Sequence, residues 1–191
     1  MNQPPYLSSD EERAIIQQLA KNPEGFRILY QHYFPRVFAY VAYRVGGKQE
    51  AEDITADIFF KIIEAIGRFE YRVDGSFATW VFRIAHNTVQ QFYRVLHRRP
   101  TMLLDDLPEI HSQELLPDEM ILRKEQFAQL RIALDQLSPR RKEIIIMRFF
   151  GGLKNHEIAT ILQLDERTIA SHLCRGLEDL KRKYREVLTL L

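Results

Sequence analysis

From Ser76 to Leu96, the residues Phe77, Val81, Ile84, Ala85, Thr88, Phe92 and Val95 recur at three- and four-residue steps. That is the period of a helix packed on a core. The opposite face carries Trp80, Arg83, Asn87, Gln90, Gln91 and Arg94 with no acidic residue among them. Ser76 is placed to cap this helix, and Pro100 stops it behind His97, Arg98 and Arg99. Upstream, Ser9 to Ala20 reads as a short amphipathic helix with Asp10, Glu11 and Glu12 in its first turn. Phe26, Leu29, Tyr30 and Tyr33 then share a face, and Pro35 predicts a break followed by a new helix through Arg44. Gly46 and Gly47 end that segment. A helix from Gln49 to Gly67 turns Ala51, Ile54, Ile58, Ile62 and Ile66 inward and Glu50, Asp53, Asp57 and Glu64 outward. Tyr71, Arg72, Asp74 and Gly75 form a turn before Ser76. Four or five helices before residue 97 make one compact module.

The pattern resumes near Asp118, where Ile121, Leu122, Phe127, Leu130 and Leu134 lead up to Leu137. Ser138 and Pro139 suit the start of a helix that turns Ile144, Ile145, Met147 and Phe149 inward and stops at Gly151 and Gly152. Asn155 is expected to cap a helix burying Ile158, Ala159 and Leu162. Gln163, Leu164 and Asp165 make a tight turn, and Asp165 caps a helix burying Ile169, Leu173, Leu177 and Leu180. Two short helices joined by about three residues, with Ala at the crossing, form a helix-turn-helix, whose second helix enters the major groove. Its outward residues are Glu166, Arg167, Thr168, Ala170, Ser171, His172 and Arg175. Arg167 or Arg175 can bond guanine bidentately, and Thr168 and Ser171 can bond base or phosphate. Lys154, Arg140 and Arg141 stand where phosphates pass.

Charge divides the chain further. Lys and Arg against Asp and Glu number 12 to 11 over residues 1–98, 3 to 7 over 99–125, and 12 to 8 over 126–191. The acidic middle, PTMLLDDLPEIHSQELLPDE, holds three prolines and no sustained period. The expected organisation is therefore all-α: two small helical domains, 1–98 and 121–191, joined by a flexible acidic linker, 99–120. No alternating segments with hairpin turns argue for a sheet. The longest apolar run, Val37 to Tyr43, has seven residues, far short of a membrane span. The N-terminus lacks a secretory pattern, and the single cysteine, Cys174, fits a reducing compartment. A cytoplasmic protein with no membrane contact of its own is expected.

Enzyme chemistry finds no support. His156 and Glu157 open an HExxH-like string, but the next ligand position is Thr160. There is no phosphate-binding Gly-rich loop, nucleophile elbow or cysteine pair, so neither a cofactor nor a metal is expected. The polar face of the Ser76 helix can stack on bases, bond their edges and neutralise phosphate, or be an ordinary solvated face with one partly buried Trp. The acidic stripe repels DNA and suits a basic protein surface, if it is more than solvated. These patterns leave open a one-component helix-turn-helix regulator with an N-terminal sensing domain, and a helical adaptor.

The two modules in this order resemble the extracytoplasmic-function (ECF) sigma factors, the smallest members of the sigma-70 family. FRILYQHYFPRVFAYV, AEDITADIFFKI and FATWVFRIAHNTVQQFYR look like sigma regions 2.1, 2.2 and 2.3 to 2.4. LSPRRKEIIIMRFFGGLKNHEIATILQLDERTIASHLCRGLEDL looks like region 4. The resemblance implies a transcription initiation factor that binds core RNA polymerase and directs it to promoter DNA. Trp80, Arg83, Asn87, Gln90, Gln91 and Arg94, with Tyr71 and Arg72, would read and open the −10 element, Asn87 belonging to a pocket for an unstacked base. Arg167, Thr168, Ser171, His172, Arg175 and Lys154 would read the −35 element. Glu50, Asp53, Ala56 and Asp57 would dock the β′ clamp coiled coil, the second module would hold the β flap, and an anti-sigma factor would be a further partner. Ala56 stands where the family often has Gln, Gln91 where Asp is frequent, and Gln163 where the turn Gly is usual. Ala170, His172 and Cys174 replace common Lys, Arg and His.

Overall fold

The computed structural model describes residues 7–19, 22, 24–71, 76–98 and 117–189. The acidic stretch expected as a linker lies outside these residues as far as 116, as does Arg72. Eight helices are described: α1 (Ser9–Gln18), α2 (Glu24–Val45), α3 (Lys48–Ile66), α4 (Phe77–Arg98), α5 (Pro117–Asp135), α6 (Pro139–Phe149), α7 (Asn155–Leu162) and α8 (Glu166–Thr189). The first four pack as one helical domain and the last four as another. These are the two helical domains the pattern predicts, and the described residues include no strand.

Local chemistry sets most helix ends. Ser8 and Glu11 form a reciprocal box at the start of α1: the Glu11 amide donates to Ser8 Oγ at 3.3 Å and the Ser8 amide to Glu11 Oε2 at 2.8 Å. Gly46 takes a φ of +94° to end α2. The Ser76 hydroxyl accepts from the Thr79 amide at 3.1 Å, and Asp165 Oδ1 accepts from the Arg167 amide at 3.0 Å. Gln163 ends α7 at φ 54°, ψ 47°, the left-handed conformation usually given to Gly.

Four sequence expectations need correction. Pro35 does not break the helix, because α2 runs through it. Pro35 and Gln31 are both exposed, so the carbonyl left without its helical donor faces water, while Leu29, Tyr33, Val37, Tyr40 and Val41 hold both halves of α2 in the core. Asn155 is not the cap of α7. Lys154 occupies that position with extended backbone, and its amide donates to Glu157 Oε2 at 2.7 Å. Phe149 points out, 57% exposed, while Ile146 beside it is fully buried. On α4, Val95 is 51% exposed, whereas Phe82 and Val89, outside the expected stripe, are fully buried.

The last two corrections share a cause: the domains are docked. α4 buries Phe77, Val81, Ala85 and Thr88 against the first domain, while the flank carrying Phe82 and His86 meets α7 and α6. The apolar run of α2 has the same explanation. Val37, Tyr40, Val41, Ala42 and Tyr43 are buried all round because this half of the helix has core on one side and the second domain on the other.

Candidate nucleic-acid interface

Docking leaves one face of α4 open. With the first domain on one flank and α7 on another, the remaining arc presents Arg83, Asn87, Gln91 and Arg94 to solvent, with Gln90 half-buried at its edge. No acidic side chain occurs within α4. Guanidinium groups at one-turn steps suit phosphates, and the amides between them can pair with base edges. Trp80 is half-buried at the N-terminal end of this arc. Its ring stacks on Phe77 at 5.4 Å between centroids and leans on Phe69 at 5.1 Å, so part of the indole belongs to the core and only its outer edge is available.

Tyr71 is held from behind. Its hydroxyl donates to Glu12 Oε1 at 3.3 Å, the Arg13 guanidinium lies 4.7 Å from its ring centre, and Phe69 meets it edge-on. Glu12 also accepts from the Tyr33 hydroxyl and is buried. Burial pushes the Glu12 carboxyl above the usual carboxylate range, against the pull of the two phenols. The sequence pattern placed Glu12 only as a first-turn charge. Its role in fixing Tyr71 depends on a contact spanning 59 residues.

On α8, Arg167, Ser171 and Arg175 are exposed, and Thr168 and His172 are half-buried beside them. Buried Ile169 and Gly176 seat the helix on its own domain; a Cβ at Gly176 would come within 2.9 Å of Ile145. Lys154 is exposed at the start of α7. This is the open N-terminal face a major-groove reader needs. The α4 and α8 residues form two separate surfaces, one on each domain.

The third predicted surface lies on α3. Asp53, Ala56 and Asp57 are exposed and Glu50 is half-buried. Asp57 accepts from Lys61 at 2.7 Å, and the same ammonium reaches Thr88 of α4 at 3.2 Å. Between the acids stand Phe60 and Ile63, 60% and 53% exposed. Sequence reading missed both, although their three- and four-residue steps from Asp53 and Ala56 put them on the acidic side. Large apolar side chains bare among carboxylates mark a protein-docking surface more than a solvated one. Among the described residues no cluster of three or more His, Cys, Asp or Glu could hold a metal, and no helix is long and apolar enough to cross a membrane.

Comparison with known proteins fits this layout. The model for Sigma-70 region 2 matches residues 29–99, and that for Sigma-70, region 4 matches residues 127–180. The chain is 30% identical over 169 residues to the ECF RNA polymerase sigma factor SigX of Bacillus subtilis, covering 86% of each protein. It is 29% identical over 180 residues to the ECF RNA polymerase sigma factor BldN of Streptomyces coelicolor, covering 92% of this chain and 68% of the relative. The RNA polymerase sigma-H factor of Pseudomonas aeruginosa is 26% identical over 191 residues, covering 95% and 98%. Two solved structures share the fold. CnrH in complex with the cytosolic domain of CnrY matches with TM-score 0.63 at 20% identity, covering 90% of this chain and 95% of that one. The sigma factor RpoE with the anti-sigma factor NepR from Bartonella quintana matches with TM-score 0.64 at 19% identity, covering 85% and 98%.

With both domains matched in order, the chain belongs to the ECF sigma factors of the sigma-70 family. It is a transcription initiation factor, which works by binding RNA polymerase and promoter DNA and not as an enzyme. The match of the first domain to region 2 takes the place of the sensing module considered above.

Proposed function

We propose that the open arc of α4 captures the non-template strand of the −10 element while the N-terminal half of α8 reads −35 duplex. Asn87, flanked by Arg83 and Arg94, accepts an unstacked base; Trp80, Tyr71, Arg72, Gln90 and Gln91 line its approach. Arg167, Thr168, Ser171, His172 and Arg175 meet the major groove, and Lys154 meets phosphate. The α3 surface, Glu50, Asp53, Ala56 and Asp57 together with Phe60 and Ile63, docks the β′ clamp coiled coil, and the second domain holds the β flap. Domain limits of 1–98 and 121–191 with a linker at 99–120 follow from the same division of labour. The chain acts in the cytoplasm, where polymerase is, and an anti-sigma factor regulates it, as two structural relatives were solved with such partners.

The observation that carries this reading is the acid-free arc around Asn87, which stays in solvent although both other flanks of α4 are covered. Run-off transcription with core polymerase on genomic fragments tests it. Discrete start sites that need this chain are expected; failure to bind core polymerase overturns the reading.

A further inference from the structure

The seam between the domains serves none of the three surfaces above, yet it is closely built. Glu143 of α6 is buried against Nδ1 of His86 at 2.8 Å, with Arg44 Nη2 at 3.6 Å and Arg140 Nη1 at 3.8 Å. Two nitrogens of Arg36 in α2 donate to the Gly151 carbonyl at 3.0 and 2.6 Å. Gly151 lies on the Phe82 ring, where a Cβ would come within 2.9 Å. Tyr43 packs between Phe127 and Phe150, with ring centres 4.5 and 4.1 Å away. Arg131 donates to the Gly46 carbonyl, and the Ser76 hydroxyl donates to Glu157.

This docked form cannot read both promoter elements at once. Positions 25 nucleotides apart lie about 85 Å apart along B-form DNA at about 3.4 Å per base pair. A globule of this chain length has a radius of gyration of only about 16 Å. The 18 residues between α4 and α5 reach at most about 60 Å when extended, enough to let the domains part.

We propose that the seam is an autoinhibitory latch: the free sigma factor rests with α6 and α7 docked on α2 and α4, and transcription requires undocking. Inhibition works by spacing and not by covering, because Asn87, Arg167 and Asp53 all remain exposed in the docked form. The seam's polar contacts are exchanged for water on opening, so each contributes modestly, and a polymerase that binds the parted domains shifts the equilibrium. The inference rests on the assignment of α4 and α8 to the two promoter elements.

The test uses the full chain in a Cys174→Ser parent. Ser76→Cys and Glu157→Cys are joined by a short bis-methanethiosulfonate and released with dithiothreitol. Bridging is expected to lower run-off at least tenfold and reduction to restore it. Small-angle scattering of the free parent should give a compact particle that expands in Glu143→Ala. Equal run-off from bridged and reduced chain, failure of the pair to bridge, or an extended free parent would each overturn the latch. A parent without run-off on any promoter would instead sink the initiation reading, with docking still decided by the bridge and the scattering.

Discussion

The Glu143 carboxylate of α6 lies 2.8 Å from Nδ1 of His86 in α4, across the seam between two domains and with only 5% of Glu143 exposed. An ionised carboxylate can only accept, so the imidazole donates from Nδ1. A glutamate in the midst of buried isoleucines is costly unless its charge is matched, and His86, Arg44 and Arg140 match it.

Burial alone would raise the Glu143 carboxyl, but the His86 hydrogen bond and the two guanidinium groups outweigh it and hold it below its ordinary 4.5. A carboxyl lowered by folding contributes stability that is fully present above 4.5 and is lost as pH falls through the lower folded value. Glu143→Gln should therefore flatten the acid side of the stability profile below that pH, as read by urea unfolding at a series of pH values. Glu143→Ala at neutral pH should cost roughly 3 kcal/mol, since Arg44 is left buried without its partner.

Gly151 has no room for a side chain: a Cβ would stand 2.6 Å from the Met147 carbonyl and 2.9 Å from Phe82. Its φ is not positive, so the demand comes from the approach of the second domain and not from the turn. Gly151→Ala should destabilise by about 1–3 kcal/mol and lower the melting temperature.

Gln163 presents the opposite case. It is exposed, and its left-handed backbone carries a steric cost that Gly escapes. Gln163→Gly should leave stability unchanged or raise it by up to about 1 kcal/mol, with −35 duplex binding intact. Thermal unfolding and a duplex gel shift check both.

Phe60 and Ile63 are bare on α3, so their loss should not harm the fold. Phe60→Ala with Ile63→Ala should keep the melting temperature within a degree or two while lowering core-polymerase affinity at least tenfold, measured by competition for core enzyme.

Features governed by neighbours in sequence were legible in the chain. The caps at Ser76 and Asp165, the turn at Gln163 and the acidic stripe of α3 depend on residues two to four apart. Docking was not legible. A single helical period reveals one buried face, but α4 has two, and Phe82, His86 and Val89 look like background until α6 and α7 arrive. The same holds for Glu157, which reads as half of a failed metal motif and in the fold accepts from both Ser76 and the Lys154 amide. Pro35 was misjudged because propensity is local, whereas the core on either side of it overrides a single missing hydrogen bond.

The most direct measurement of the central assignment is permanganate reactivity of non-template thymines in the −10 element, for complexes of core polymerase with the native chain or Asn87→Ala. Asn87 is exposed, so its substitution leaves the fold and the α8 contacts in place. The native complex should show reactive thymines, and the variant should lose most of that reactivity while keeping −35 protection. Equal strand opening by both proteins would contradict the capture of the unpaired strand on α4.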